Sequence, residues 1–576
     1  MAKAEATVEE LVGMIERGEL RLPEMQRQYV WQSTRVRDLM DSLYRGYPSG
    51  AILLWETDED VPLRDFSVSQ KDNPYRATRL LLDGQQRLTS LSAVIRGAPV
   101  QVRHRKRPIE LLFNLEHPDE LPFVTEVDED ADLDEDAPGT GEEDASEDEL
   151  MARLNKRAFV VGTRKLESLP HWIKVSDVFK SDSDAAILKS AGVNSFDDPR
   201  LEKYSKRIAR LRAVRKYVYR MDVLERTLSY EEVTEIFVRV NSLGAKLRSS
   251  DLALAQITAK WRNSLHVFVA FQERCAKLGF DLELGVHLKN LMAFATGQSR
   301  FLTVSSLSVD VLQSGWRRAE EGMEFAMNFM RSNVGIDSPG LLSSPFILVA
   351  LAFYGARRDY TLSSDEAVAL RYWTLVANAK GRFSRGSSET ILDQDLASLR
   401  DGGGVREMID RLRSQVGRLD ITPEELEGRN QRSALFKTMF LAFDRAGAMD
   451  WRSSLRISLA HAGTQHRLQF HHFFPKALLK STGHSAREAD DIANLTFVAG
   501  KTNRQISDKA PADYVQPYLE HSGAQAFDAQ CIPLAPELLQ LSGYAEFLKV
   551  RRRLIADRLN AFIGASPSSA AVEPPV

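Results

Sequence analysis

The sequence predicts an α+β chain of several domains, and three observations carry that prediction. The chain has 576 residues, enough for two to four domains with separate cores. In residues 1–257, short apolar runs bounded by turn residues alternate with helix-patterned stretches, whereas residues 258–420 carry helical periodicity throughout. Within residues 421–563, a short apolar strand ends in two adjacent histidines, Leu468-Gln469-Phe470-His471-His472, and turns at Pro475. Residues 564–576, GASPSSAAVEPPV, are expected to be a disordered tail.

Composition narrows the function classes. Apolar and charged fractions are those of an ordinary globular protein. No run of about 18 apolar residues occurs, so no membrane-spanning helix is expected. The opening MAKAEATVEELVGMIERGEL is polar and helix-patterned, unlike a secretory leader. Cys275 and Cys531 lie far apart and outside any metal-ligand spacing, which fits reduced thiols and a cytoplasmic location. The formal charge of −4 hides an asymmetry. Residues 116–150 hold 17 acidic residues and no Lys or Arg, and without them the remainder carries +13. That balance is compatible with nucleic acid but is weak as a signal by itself.

In chain order, residues 8–20 read as a helix with Val8, Leu11, Val12 and Ile15 on one face. The stretch LPEMQRQYVW places polar Gln26, Arg27 and Gln28 between apolar neighbours. Residues 34–45 read as a helix with Val36, Leu39, Met40 and Leu43 inward, followed by the turn GYPSG and a buried strand at 51–55. A second apolar strand, 79–82, runs into Asp83-Gly84-Gln85-Gln86-Arg87, where a helix begins at once. Gly84 allows a tight turn. Polar side chains on a first helical turn stand where an anion meets free amide groups and the positive helix end. Arg87 has the fork that suits phosphate oxygens. No GxxxxGK[ST] occurs, so this is not a Walker loop. By themselves these residues favour an ordinary strand–turn–helix with a capping Asp over nucleotide binding.

Further on, the basic segment QVRHRKR (101–107) flanks a strand at 109–113 and reads as a solvated edge or a phosphate-contacting loop. The acidic run 116–150 is expected to be a disordered insertion, either solvating or shielding a basic groove. Residues 171–180 read as a short strand and turn. Residues 201–220 read as one helix with a basic face of Lys206, Arg207, Arg210, Arg215 and Lys216. Residues 231–256 read as two helices around a polar turn at Asn241-Ser242-Leu243-Gly244. The segment 381–388 (GRFSRGSS) interrupts the helical section as a loop, bland or reaching toward DNA.

The histidine strand carries the chemistry. Asn494 lies 22 residues after His472, and Asn503 lies 9 after Asn494. Neighbours on a strand face opposite ways, so one histidine can hold a metal while the other faces a water molecule. An ion held by an imidazole and an amide oxygen keeps most of its coordination sphere open for phosphate. A histidine beside it can take a proton near neutral pH. Five of the 11 histidines fall between His461 and His484, so an HH pair alone carries little; the two asparagines add the specificity.

This spacing resembles the HNH, or ββα-metal, nuclease motif. The resemblance implies His471 and Asn503 as metal ligands, His472 as general base and Asn494 as the residue that pins the intervening loop. Some HNH enzymes add a ligand about one helical turn later; Ser507 stands there, which favours a two-ligand site. The segments LPEMQRQYVW, SLYRGYPSG with ILLW, and LLLDGQQRLTSL resemble the N-terminal domain of GmrSD-type restriction endonucleases. That domain belongs to a ParB/sulfiredoxin-like superfamily that binds and often hydrolyses nucleotides. The resemblance implies a nucleotide site of Asp83, Gly84, Gln85, Gln86, Arg87, Gln26 and Arg27, completed by Arg239 and Asn241 of an FxRxNxxGxxL pattern. It further implies an NTP-regulated endonuclease that uses Mg²⁺ or Mn²⁺ and GTP or ATP to attack double-stranded, modified phage DNA. A homodimer is compatible with it, and no membrane partner is expected. The alternative is a ParB-like nucleotide-dependent DNA-binding regulator with a non-cutting HNH module. The modification sensed and the choice of nucleotide are not legible.

Overall fold

The computed structural model describes residues 2–27, 29–71, 79–97, 110–121, 147–181, 183–243, 248–384, 386–459 and 468–564, of which 147–150, 164 and 241–243 are described by backbone alone. The basic segment 101–107, residues 122–146 of the acidic run, Gly244, Arg385, His461, His466 and the tail from 565 lie outside the described residues. The chain is mixed α and β and divides into two compact units, 1–265 and 266–576.

The first unit is built on a mixed sheet. Its strands are β1 (Ala2–Thr7), β2 (Leu20–Pro23), β3 (Ile52–Glu56), β4 (Leu63–Arg64) and β5 (Arg79–Asp83). A smaller sheet comprises β6 (Leu111–Asn114), β7 (Phe159–Val161) and β8 (Trp172–Lys174), and β9 (Val218–Leu224) returns to the first. The large sheet has the order β1-β9-β3-β5-β2-β4, with β3/β9 and β2/β5 parallel and the other pairs antiparallel. β3 and β5 read as unbroken apolar runs because both of their faces are covered. Ile52, Leu54 and Leu81 point into one core, while Leu53, Trp55, Leu80 and Leu82 point into another.

Helices then follow their apolar stripes. Val8–Glu16 buries Val8, Leu11, Val12 and Ile15, and starts at a capping box in which Thr7 Oγ1 accepts from Glu10 N–H at 3.2 Å while Thr7 N–H donates to the Glu10 carboxylate at 2.7 Å. Ser33–Arg45 buries Val36, Leu39, Met40 and Leu43 and ends at Gly46 with φ +78°.

Two expectations are corrected. Residues 2–7 form an edge strand rather than helix, paired from Ala2↔Val223 to Thr7↔Val218. The helix expected over 201–220 stops at Arg212. After a 3-10 turn the chain enters β9, whose Tyr219 and Met221 alternate into the core. Period-2 burial and aromatic and β-branched residues at 217–223 override the helical reading there. The basic face is largely consumed within the unit. Arg207 is buried and donates to Asp119 at 2.7 Å, Arg210 sits 4.4 Å over the Tyr44 ring, and Arg215 reaches the Phe179 carbonyl.

The second unit is mostly helical. Phe346–Arg357 is buried on every face, the pattern of a central core helix. Arg382, in the expected loop at 381–388, is buried and donates to both oxygens of Asp395 at 2.8 and 2.6 Å. Embedded among the later helices are two antiparallel strands, β10 (Leu468–His472) and β11 (Leu495–Ala499), and the helix Gly500–Ile506 follows β11 directly. No described helix is long and apolar enough to cross a membrane.

Candidate active site

The strand pair sets the site's register: His471 lies opposite Thr496 and His472 opposite Leu495. Strand alternation turns the two imidazoles to opposite faces. His471 points inward at 4 % exposure, and its Nδ1 lies 2.7 Å from Oδ1 of Asn503 on the Gly500–Ile506 helix. Asn503 in turn donates to Gln469 Oε1 at 2.8 Å. His471 Nε2 is buried with no hydrogen-bond partner among the described residues. Burial pushes the His471 ring down to about 4, against a smaller upward pull from Asn503, so it is neutral near pH 7. Neutral imidazole and amide oxygen are donors that suit a divalent ion. Adjacent ligands of an octahedral Mg²⁺ sit about 3 Å apart, so these two atoms need to part only by tenths of an ångström. Among the described residues no three His, Cys, Asp or Glu converge, so an ion here rests on this pair plus water or phosphate.

His472 faces the other way. Its Nε2 lies 2.9 Å from Asp490 Oδ1, and the Lys476 ammonium lies 3.1 Å from the same oxygen. Sequence reasoning missed Asp490. Its only signal was an acidic pair, Asp490-Asp491, immediately before the Asn494 segment.

Asn494 is fully buried and staples the loop between the strands. Its Oδ1 accepts from Phe474 N–H at 2.8 Å, and its Nδ2 donates to the carbonyls of Phe474 at 3.0 Å and Ala489 at 2.8 Å. Asp491 caps the following turn through Ala493 N–H at 2.9 Å and is held by Arg552 at 2.6 Å.

Two strands alone are marginal, and side chains from the surrounding helices and connecting segments grip their backbone. Arg551, fully buried, donates to the carbonyls of Ala493, Leu495 and Gln530 at 2.6, 2.8 and 3.1 Å. Burial lowers its pKa to about 10, so it stays charged near neutrality. Gln530 pairs with both backbone groups of Phe497, and the Tyr514 hydroxyl donates to the Phe473 carbonyl at 2.7 Å. Asp450 accepts from Ala499 N–H at 2.8 Å and Thr502 Oγ1 at 2.9 Å, anchoring the start of the helix that carries Asn503. Burial pushes its carboxyl up, but these bonds and those from Ser453 outweigh it and hold the pKa below the usual range. Of the other histidines, His484 packs edge-on against Tyr544 at 5.0 Å.

In the first unit, the residues around DGQQR lie close together and are engaged internally. Gln26 Nε2 donates to the carbonyls of Leu81 and Leu82, and Gln85 Nε2 to that of Arg27 at 3.0 Å. Gln86 Oε1 accepts from Val30 and Trp31 N–H. Arg87 donates to the carbonyls of Ser49 and Ala51 at 2.6 and 2.7 Å and to Asp83 at 2.9 Å. The turn is tight because Gly84 has φ +101° and a Cβ there would meet Ile52 Cδ1 at 2.4 Å. Arg27 pairs with Asp251 at 3.2 Å. Arg239 is exposed and pairs with Glu235 on its own helix. The Asn241 side chain lies outside the described residues. Arg64 was missed: it is a largely buried guanidinium that donates to the Gln26 carbonyl at 2.8 Å, and burial lowers it to about 10.

Comparison with known proteins gives two matches. An uncharacterized protein of Methanocaldococcus jannaschii, MJ0686, is 24% identical over 560 residues, covering 89% of this chain and 86% of that protein. Residues 8–258 match the family described as the N-terminal domain of GmrSD restriction endonuclease. That span begins with the first helix and takes in the DGQQR turn, β9 and the helix carrying Arg239. Over these residues the chain is similar to the N-terminal domain of GmrSD-type restriction endonucleases.

Proposed function

We propose that the chain is a metal-dependent DNA endonuclease of the HNH type, whose ParB/sulfiredoxin-like N-terminal unit binds GTP or ATP and gates the cutting of modified phage DNA. The observation that carries the nuclease reading is the approach of two neutral donors, His471 Nδ1 and Asn503 Oδ1, beside a second imidazole on the next residue. His471 and Asn503 would hold Mg²⁺ or Mn²⁺. The bound ion supplies charge neutralisation at the phosphate and at the leaving oxygen. His472 takes a proton from the attacking water. Asn494 keeps the loop that follows His472 in place.

The likeness of residues 8–258 to the N-terminal domain of GmrSD restriction endonucleases supports restriction of foreign DNA. Support for a nucleotide comes from the helix that starts at Gln85 after the left-handed Gly84, with the Asp83 carboxylate partly exposed beside it. In this reading Gln26, Gln85, Gln86 and Arg87 shape the turn, and Asp83 and Arg27 are the side chains placed to meet a ligand.

The deciding experiment incubates purified protein with modified and unmodified phage DNA, with and without Mg²⁺ or Mn²⁺ and each NTP. Cutting of the modified DNA that requires both metal and a nucleotide is expected. DNA left intact under every condition, with binding retained, would instead favour a non-cutting regulator.

A further inference from the structure

Asp490 is one bond away from the proposed general base, and the fold fixes that distance at both ends. At one end, His472 closes β10, and the chain two residues on is bound twice: Phe474 N–H donates to Asn494 Oδ1 and the Phe474 carbonyl accepts from Asn494 Nδ2. At the other end, the carbonyl of Ala489, the residue before Asp490, accepts the second N–H of the same Asn494 amide at 2.8 Å. Asp490 N–H also donates to the Ala486 carbonyl at 2.9 Å, which closes the short Ala486–Ala489 helix on it. One buried amide therefore ties the residues flanking both partners. The 2.9 Å contact between His472 Nε2 and Asp490 Oδ1 is set by backbone bonds, unlike an exposed ion pair between two long side chains. Among the described residues, Lys476, whose ammonium shares Oδ1 at 3.1 Å, and the Phe470 ring, 6.2 Å from the His472 ring, lie against this pair.

We propose that Asp490 is a positioning residue: it accepts the Nε2–H of His472, so the neutral ring keeps its proton on Nε2 and offers the Nδ1 lone pair to water. A neutral imidazole has one donor and one acceptor nitrogen, and a carboxylate can only accept, so the contact selects the tautomer. The catalytic consequence rests on the nuclease reading above; the tautomer does not. In the hydrolytic step a water O–H bond breaks and its proton passes to His472 Nδ1. The water oxygen forms the new P–O bond, the old P–O bond to the sugar breaks, and a second water protonates the leaving oxygen; the hydroxide so formed is neutralised when the ring later releases its Nδ1 proton to solvent. The ring then carries two N–H groups, with Nε2–H still bound to Asp490.

The test has two independent arms on the full chain. In the first, the ¹⁵N spectrum of histidine-labelled protein, with His472 assigned by comparison with His472→Gln, reports which ring nitrogen carries the proton at an alkaline pH where the ring is neutral. The wild type is expected in the Nε2–H form and Asp490→Ala in a mixture. In the second, kinetics on cleavable DNA should show kcat lowered by about 10- to 100-fold in Asp490→Ala with KM changed less than about twofold, the scale of a lost orienting partner. Asp490→Asn keeps an acceptor oxygen and should recover part of kcat; it also stands in if the alanine variant fails to fold. An Nδ1–H ring in the wild type, or wild-type kcat in Asp490→Ala, overturns the proposal. If the wild type cuts no DNA at all, the nuclease reading fails while the tautomer arm still decides the role of Asp490.

Discussion

His471 and His472 are chemically identical neighbours given different environments by one strand. His471 is sealed inside and neutral, against Asn503. His472 is partly exposed on a carboxylate. Replacing His472 with alanine is expected to lower cutting by about 10²- to 10⁴-fold, the usual loss for a general base, with melting and DNA affinity little changed. Wild-type nicking by the purified variant would remove His472 from the mechanism. A third histidine is an acid-stability liability. His117 is buried with its Nε2 3.0 Å from the Tyr44 hydroxyl, and burial, aided by Arg207 and Arg210, drops its pKa to about 4. The folded pKa lies below the unfolded value of about 6.5, so the stability tied to the neutral ring is complete above pH 6.5 and is lost as pH falls toward 4. Melting curves at pH 7.5 and 5 should show the first unit weakening at the lower pH. His117→Gln should flatten that difference, and an equal slope in both proteins would refute the assignment.

At the level of elements, apolar runs and turn glycines were readable wherever the local pattern had a single period. β3, β5, the helix at Gln85 and the histidine strand were legible for that reason. β1 and β9 were not. Ala2–Thr7 has little apolar content and is a strand because β9 offers it a free edge, which is a non-local fact. β9 follows a genuine helix with only a four-residue 3-10 turn and Tyr217 between them, so the period changes without a breaker. The histidine–asparagine spacing was legible, but the grip on it was not: Arg551, Gln530, Asp450 and Asp490 are distant or unremarkable in sequence and meet the strands only in the fold. Arg551→Met tests that grip. It leaves three buried carbonyls without their donor, so a loss of about 3–5 kcal/mol is expected, read as a lowered denaturant midpoint for the second unit. An unchanged midpoint would mean that the strand pair is self-supporting.

For the whole molecule, the proposed nucleotide site and the proposed cutting site belong to separate compact units, so each can be removed without the other. Asp83→Ala deletes a partly exposed carboxylate on the DGQQR turn, and calorimetric titration with ATP and GTP is expected to show lost binding while the second unit melts as before. Unchanged affinity for every nucleotide that the wild type binds would place the site elsewhere. The distribution of supports around the histidine strand has a further consequence, in the timing of synthesis. Translation delivers His471, His472, Asn494 and Asn503 first, and Tyr514, Gln530 and Arg551 afterwards, the last 48 residues beyond Asn503. At about 5–20 residues per second, the ribosome takes on the order of 2–10 s to cover that distance. Through that interval the nascent chain carries the proposed donors and base on strands that Asp450 can hold but that Tyr514, Gln530 and Arg551 do not yet grip. If the proposed nuclease reading holds, chain order alone thus delays the assembly of the cutting centre until Arg551 has been made, a safeguard for the host chromosome that needs no inhibitor.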